Sequence, residues 1–279
     1  MMSEVTDAPP RAAANEDSCG STQGSHIWYE LITPDPEGAK AFYEAIVPGW
    51  TIGERAPVEH DYRMIGRSDG SFAGGVLRLT DEMRQHGTAP RWLGYVGVED
   101  ADATVERLEA KGGKVLVPAF NIEVGRIAMV ADPQGNPFYV MKPVPPAGKP
   151  DAESDAFSPD AEQRVNWNEL STADPDAARR FYGDLFGWTS DDFMPMGEYG
   201  EYRFFDHGST RIGAVCGAMP DGTTGWRYYV GVPSIAKAAE AVKANGGAIT
   251  VEPHQVPGGD FIIIGRDPQG AEFALVGKA

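Results

Sequence analysis

The sequence has little cysteine, few basic residues and no long apolar run. Two cysteines, Cys19 and Cys216, are too few to form a disulfide framework in a chain of 279 residues. Lys and Arg total 24 against 41 Asp and Glu, and the resulting net charge of −17 disfavours a phosphate backbone as a partner. No apolar run approaches the roughly 18 residues that a membrane-spanning helix needs. We therefore expect neither nucleic-acid nor membrane binding.

Several sequence signals of location and chemistry are also missing. Residues 1–25 lack the basic start and apolar stretch of a signal peptide, and their Ala, Ser, Pro, Asn and acidic residues predict a disordered tail. With so little cysteine, a cytoplasmic location is the default expectation. No phosphate-binding glycine loop opens a helix, and no nucleophile elbow is present. Nucleotide-dependent chemistry and serine hydrolase chemistry therefore have no support.

The chain instead contains a tandem repeat. Trp28-Tyr-Glu-Leu-Ile-Thr-Pro-Asp35 returns 139 residues later as Trp167-Asn-Glu-Leu-Ser-Thr-Ala-Asp174. Further matching landmarks follow in the same order: Phe42-Tyr43 and Phe181-Tyr182, Trp92 and Trp226, Gly112-Gly113 and Gly246-Gly247, Asp132-Pro-Gln-Gly135 and Asp267-Pro-Gln-Gly270. An ordered series of this kind identifies a duplication.

The duplication predicts two domains, over residues 26–142 and 164–279. The intervening segment, 143–163, carries five prolines and is predicted to be a linker. Within each domain a strand, a helix and about three strands follow one another twice. An Asp-Pro pair at Asp35 and at Asp174 supplies an N-cap and a first-turn proline for the first helix of each domain. One helix for about four strands predicts an α+β fold.

These landmarks resemble the vicinal oxygen chelate superfamily, which includes glyoxalases, bleomycin-resistance proteins and extradiol dioxygenases. Leu31, Thr33, Asp35 and the Phe42-Tyr43 pair stand at the spacings of its opening motif, and the second copy repeats them. The resemblance covers all but the tail and the linker. It implies tandem glyoxalase-like domains, each of two paired βαβββ modules that form a curved sheet around a cavity. It also implies a divalent metal that acts as a Lewis acid.

The positions of the superfamily's metal ligands carry other residue types here. In the first copy these positions hold Trp28, Leu93 and Tyr139, and in the second copy they hold Trp167, Arg227 and Ala274. None of these side chains, apart from an ionised tyrosine, offers a useful lone pair to a hard divalent ion. We therefore expect no cofactor and no metal. The alternative is a divalent metal with relocated ligands, drawn from His26, Glu30, Glu169 and His254.

The face that would line each cavity is aromatic and contains one carboxylate. Because strand side chains alternate, Glu30 shares a face with Trp28, and Glu169 shares one with Trp167. We assign catalysis to Glu30 and Glu169, as general bases whose pKa an aromatic pocket would raise. Ligand contact is assigned to the neighbouring aromatic and basic residues Trp28, Tyr95, Tyr139, Trp167, Arg227 and Tyr229.

Structural explanations of the same residues stay open at this point. The two tryptophans would fill the emptied metal cavity as core residues. Arg63 and Arg203, which stand in matching Tyr-Arg pairs, would neutralise the two glutamates. Arg227 either binds an anionic ligand group or pairs with Glu169. His26 is expected to be a solvated residue at the start of its strand.

The leading interpretation is a glyoxalase/bleomycin-resistance-like protein that binds a small, aromatic or oxygenated organic molecule in its domain cavities without the family metal. Whether it is an enzyme stays open. The alternative is a metal-dependent lyase, isomerase or dioxygenase, and a third hypothesis is an interaction protein with closed cavities. The second cavity is expected to be the roomier one, since Ala274 replaces Tyr139. The expected oligomeric state is a monomer or a homodimer.

Overall fold

The computed structural model describes residues 23–58, 60–149, 152–218 and 223–279. All but the last three residues of the predicted disordered tail, 1–25, lie outside the described residues. In the described part, each copy of the repeat forms one sheet of eight strands. No helix there has the length and hydropathy needed to cross a membrane.

The first sheet and its helices lie between His26 and Pro143. In chain order they are β1 (His26–Thr33), α1 (Pro36–Ile46), β2 (Thr51–Ile52), β3 (Tyr62–Gly66), β4 (Phe72–Arg78), α2 (Asp81–Gln85), β5 (Arg91–Gly97), α3 (Ala101–Ala110), β6 (Lys114–Ile122), β7 (Gly125–Ala131) and β8 (Pro137–Pro143). The five-residue helix α2 has no equivalent among the described residues of the second copy.

The second sheet repeats this order. Its elements are β9 (Val165–Ser171), α4 (Pro175–Phe186), β10 (Phe193–Pro195), a 3₁₀ turn (Gly197–Tyr199), β11 (Glu201–His207), β12 (Thr210–Cys216), β13 (Gly225–Val232), α5 (Ile235–Ala244), β14 (Ala248–Gln255), β15 (Phe261–Arg266) and β16 (Glu272–Gly277).

Each sheet consists of two modules that lie side by side. The strand orders are β2-β3-β4-β1-β5-β8-β7-β6 and β10-β11-β12-β9-β13-β16-β15-β14. The first strands of the two modules, β1 and β5 or β9 and β13, pair antiparallel at the centre of the sheet. Each of them also pairs in parallel with the last strand of its own module. The predicted α+β fold, with two paired βαβββ modules in each copy of the repeat, is confirmed.

The hydrophobic core lies between the two domains and takes residues from both. One core cluster joins Phe42 and Ile46 of α1 to Val242 of α5 in the other domain. A second cluster joins Leu108 of α3 to Leu185 of α4 in the same way. The helices therefore lie on the faces by which the sheets meet, and the opposite face of each sheet is left for a site.

Tyrosine hydroxyls connect the domains at matching places within this core. Tyr43 of α1 donates to Asp267 Oδ2 of the other domain at 3.0 Å. In the symmetry-related contact, Tyr182 of α4 donates to Asp132 Oδ2 at 3.1 Å. Both acceptors are the aspartates of the Asp-Pro-Gln-Gly turns that the repeat analysis identified. Each turn therefore serves the interface as well as its own sheet.

The predicted linker is partly packed against the first domain. Ser154 donates to the carbonyl oxygen of Ile27 at 2.5 Å, and Asp155 forms an ion pair with buried Arg67. Ala156 is 1% exposed within the core shared by the domains. The end of this segment is thus part of the folded unit.

Candidate functional site

We call the face of each sheet that packs only with its own domain the concave face. In the first domain it carries an apolar cluster of Ile27, Ile32, Leu79, Leu93, Tyr95, Ile127, Tyr139 and Met141. In the second it carries Tyr229, Ile264 and Ala274, with partly buried Trp167 beside them. The aromatic residues that the sequence assigned to ligand contact lie on these two faces.

Glu30 lies within the first concave face and is 3% exposed. The Tyr95 hydroxyl donates to Glu30 Oε2 at 2.9 Å, and the Tyr95 ring stacks on that of Tyr139 with the ring centroids 4.2 Å apart. Tyr139 also turns its hydroxyl toward the carboxylate, but among the described residues Glu30 Oε1 has no hydrogen bond of normal geometry. Burial raises the pKa of Glu30 to about 7, although both tyrosine hydroxyls act to lower it.

Glu169, the equivalent residue of the second domain, has a partner on each oxygen. Its Oε1 accepts from Arg227 at 2.9 Å and from Tyr229 at 3.1 Å, and its Oε2 accepts from Tyr202 at 2.7 Å. Arg227 also donates to Glu272 at 2.8 Å. Of the two roles left open for Arg227, the structure shows the ion pair with Glu169.

Both concave-face tryptophans are anchored by a tyrosine. The indole Nε1 of Trp28 donates to the Tyr62 hydroxyl at 2.8 Å, and that of Trp167 donates to the Tyr202 hydroxyl at 2.7 Å. Sequence reasoning did not assign these two tyrosines to the site. The signal was present, because each stands in one of the matching Tyr-Arg pairs, from which the arginine was chosen instead.

The alternative in which Arg63 and Arg203 neutralise the glutamates is wrong. Arg63 pairs with Glu37 at 2.8 Å and with Asp61 at 3.2 Å. Arg203 pairs with Glu201 at 2.6 Å. Because successive side chains of a strand point to opposite faces, each arginine is turned away from the face that its neighbouring tyrosine occupies.

The expectation that His26 is solvated is also wrong. His26 is 6% exposed, and its ring lies 5.2 Å from that of Trp188 in the other domain. A β-bulge between His26 and Trp28 shifts the register with β5, so His26 faces the core between the domains and not the concave face. Burial lowers the pKa of His26 to about 3, so the ring is neutral. Neither ring nitrogen has a hydrogen-bond partner among the described residues.

The concave faces do not fit the divalent ion that the resemblance implies. The first face offers Glu30 with tyrosine hydroxyls, and His26 faces away from it. On the second face Arg227 bridges Glu169 and Glu272, so a fixed cation occupies the space between these carboxylates. His254 lies exposed on β14. In the described ranges, no group of three or more His, Cys, Asp or Glu side chains lies close enough to hold a metal ion.

Two cavities lie between the domains, and neither is lined by Glu30 or Glu169. The smaller is a void of about 10 Å³ within the shared core. The larger is a cleft of about 450 Å³ between the domains. Ala274, which was expected to enlarge the second cavity, is 1% exposed and packs with Tyr229 and Ile264. The described residues therefore give no support to a roomier second concave face.

The fold and the site together define a class of protein: paired βαβββ modules in tandem, with one buried carboxylate on each aromatic concave face. Residues 164–275 match the model of the glyoxalase/bleomycin resistance protein/dioxygenase superfamily, and residues 28–141 match that of the glyoxalase-like domain. The chain belongs to the glyoxalase/bleomycin resistance protein/dioxygenase superfamily, with two glyoxalase domains in tandem.

Similar proteins differ in how much of the chain they match. CFP32 of Mycobacterium tuberculosis, provisionally named a glyoxylase, is 38% identical over 123 residues, which are 44% of this chain and 45% of that protein. The match thus spans less than half the length of this relative. The anthracycline biosynthesis protein DnrV of Streptomyces peucetius is 29% identical over 91% of this chain and 93% of its own length.

Solved structures share the whole tandem fold at low sequence identity. The Mn(II)-bound glyoxalase of Novosphingobium aromaticivorans superimposes with a TM-score of 0.60 at 16% identity, covering 92% of this chain and 83% of that one. The 2,3-dioxygenase LapB of Pseudomonas sp. KL28 has a TM-score of 0.60 at 14% identity, covering 93% and 94%. At such identities the likeness concerns the fold alone.

Proposed function

We propose that the concave face of the first domain binds a small oxygenated organic molecule through Glu30, without a divalent metal. The observation that supports this is the buried Glu30 Oε1, which makes no hydrogen bond of normal geometry with the described residues, although the Tyr139 hydroxyl is turned toward the carboxylate. Leaving a buried polar atom unpaired costs about 1–3 kcal/mol. A ligand hydroxyl group donating to Oε1 would remove this cost. Glu169, in the matching place, has no such free oxygen.

The chemistry of this face suits an aromatic ligand that carries hydroxyl groups. The stacked rings of Tyr95 and Tyr139 and the partly buried indole of Trp28 offer flat apolar surfaces beside the carboxylate. With its pKa at about 7, Glu30 accepts a proton from a ligand or returns one near neutral pH, as a general base does. The relatives named for anthracycline biosynthesis, which match 91% of the chain, support an oxygenated aromatic ligand.

Helix α2 is the element that opens this face. Because Glu30 is only 3% exposed, a ligand reaches it after some part of the face has moved. Helix α2 has no buried residue, and its Met83 packs partly buried against the apolar cluster of the concave face. A short helix held by so little buried surface is displaced at low cost.

A second candidate function is an interaction protein whose concave faces are closed. One observation favours it, because neither cavity described above borders Glu30 or Glu169. In that case Glu30 would have a purely structural role, and its replacement would change stability without affecting any ligand.

A titration with a planar hydroxylated aromatic compound tests the proposal. We expect 2,7-dihydroxynaphthalene, whose two hydroxyl groups are free to donate, to bind the full chain with one molecule per chain, as measured by titration calorimetry. At pH 8, where Glu30 is ionised, Glu30→Gln replaces a charged acceptor by a neutral one and is expected to weaken binding about tenfold, the difference of about 1.4 kcal/mol between a charge-assisted and a neutral hydrogen bond. Glu169→Gln is the matched control, and we expect it to leave the affinity unchanged.

The pH dependence separates binding at Glu30 from binding elsewhere. If ionised Glu30 accepts from the ligand, affinity rises as the pH passes through about 7, and Glu30→Gln abolishes this rise. Absence of saturable binding, or equal weakening by the two substitutions, would instead support the closed interaction protein.

A further inference from the structure

The cleft of about 450 Å³ between the domains has the size of a small-molecule site. It lies where the first strands of the two second modules, β5 and β13, begin, and Trp92 and Trp226 line it at equivalent positions. Their indole N–H groups donate to tyrosine hydroxyls of the core, to Tyr43 at 3.0 Å and to Tyr182 at 3.1 Å. These hydrogen bonds fix both rings, so the aromatic lining of the cleft is already ordered before a ligand binds.

Two arginines of this cleft have no acidic partner. Half-buried Arg91 forms no ion pair within the described residues, and its Nε makes one long hydrogen bond, of 3.4 Å, to a backbone carbonyl. Burial alone lowers the pKa of Arg91, whereas the carboxylates of Glu37 and Asp61 raise the pKa of Arg63 although burial acts to lower it. Arg266 donates to the carbonyl oxygen of Gly270 and likewise has no carboxylate partner in the described part of the chain. In a protein of net charge −17, the cleft thus holds one arginine, Arg91, without a carboxylate partner, and a second, Arg266, that stands opposite Glu272 on the neighbouring strand without forming an ion pair.

The two charges are not inherited from the duplication. Arg91 precedes Trp92, and Gly225 holds the same place before Trp226. Arg266 pairs with Ala248 on the neighbouring strand, and the equivalent residue of the first copy, which pairs with Lys114, is Ala131. Arg227, which also lines the cleft, is neutralised by its two carboxylates and so needs no further explanation. Arg91 and Arg266 have no structural partner of that kind.

The geometry points to a second binding site, in this cleft, for a planar organic anion whose carboxylate or phosphate group pairs with Arg91. Arg91 and Trp92 leave β5 on opposite sides, and both line the cleft at the start of this strand. The ligand therefore lies across the strand end, with its planar part against the fixed tryptophans, and Arg266 adds a second positive charge. A half-buried guanidinium without a counter-ion gains more from an anion than an exposed one does, because solvent screens it less. Leu93 and Arg227 of the concave faces also border the cleft, but Glu30 and Glu169 do not, and the site does not depend on the function proposed for Glu30.

Calorimetric titration of the full chain with 2-naphthoate tests the site. We expect one molecule to bind per chain, and the neutral 2-naphthamide to bind at least about tenfold more weakly because it lacks the charge. Arg91→Gln is expected to weaken 2-naphthoate by a similar factor, and Arg266→Gln to weaken it less. Arg180→Gln, which removes an exposed arginine on α4 away from the cleft, is the matched control and should leave the affinity unchanged. The same titration with 2-naphthyl phosphate shows whether the anionic group is preferably a carboxylate or a phosphate.

The variants also separate this site from the concave face. Because Arg91 makes one long hydrogen bond and no ion pair in the described structure, its replacement should leave the melting temperature within about 1 °C of that of the parent. Glu30→Gln should not affect 2-naphthoate. The inference is overturned if neither anion binds at about 10 mM, if Arg91→Gln and Arg180→Gln behave alike, or if Glu30→Gln abolishes binding.

Discussion

Glu30 and Glu169 show how one residue position takes two different roles within a single chain. Both lie buried on a concave face beside a tryptophan, and both accept from a tyrosine hydroxyl. Arg227 decides the difference, because it pairs with Glu169 while the first copy has Leu93 at its position. A neutral leucine leaves Glu30 in an apolar environment, where the protonated form is favoured.

Glu30 is expected to make the protein less stable as the pH rises from 5 to 8. Its pKa, about 7 in the folded chain, exceeds the ordinary carboxyl value of about 4.5, so between these pH values the folded state holds a proton that the unfolded state has released. The free energy of unfolding therefore falls with rising pH through this window, by about 3 kcal/mol in total. Urea unfolding of the parent and of Glu30→Gln at several pH values measures the difference.

The difference in unfolding free energy between the parent and Glu30→Gln, followed against pH, reports the contribution of Glu30 alone. His26, whose pKa is lowered by burial, makes the protein more stable as the pH rises, but it is present in both proteins and cancels. A parent and a Glu30→Gln variant with parallel stability curves from pH 5 to 8 would show that the pKa of Glu30 is not raised.

At the scale of single elements, the helix starts were predictable because their signals are local. Asp35 and Asp174 cap α1 and α4 as the Asp-Pro pairs predicted, with side-chain oxygens that accept from Gly38 at 3.0 Å and from Ala177 at 2.9 Å. Helix α2 was not predicted, because five residues are too few to show the helical periodicity of apolar side chains.

Asp174→Ala is expected to destabilise the protein by about 1 kcal/mol through loss of this cap. The backbone of Asp174 keeps its two hydrogen bonds with the Gln134 side chain, at 2.7 and 2.9 Å, so the chain still enters α4 at the same place. Chemical unfolding gives the loss. Asp191→Ala, an exposed aspartate on the same domain, should change stability by less than about 0.5 kcal/mol, and an equal effect of the two would refute a capping role.

At the scale of the whole molecule, the repeat predicted two sheets but not where their cores lie. Periodicity shows which side of a helix is buried, and it does not show which partner covers that side. The apolar side of α1 packs against α5, and His26 is buried against Trp188, in both cases across the domain boundary. For the same reason the pairing of Arg227 stayed undecided: Glu272, its second partner, is 45 residues further along the chain.

The shared core predicts that the two domains unfold together. The two large core clusters between the sheets take side chains from both domains, so the helix-bearing face of each sheet loses its cover when the other domain unfolds. Calorimetry should show one transition, with the van't Hoff enthalpy equal to the calorimetric enthalpy. Leu108→Ala in the first domain and Leu185→Ala in the second each remove a fully buried leucine from the same cluster, at a cost of about 2–5 kcal/mol. Each should move that single transition down by several degrees, at about 2–4 °C per kcal/mol. Two transitions, with each substitution lowering only the one that belongs to its own domain, would show that the domains are stable separately and that the interface contributes little.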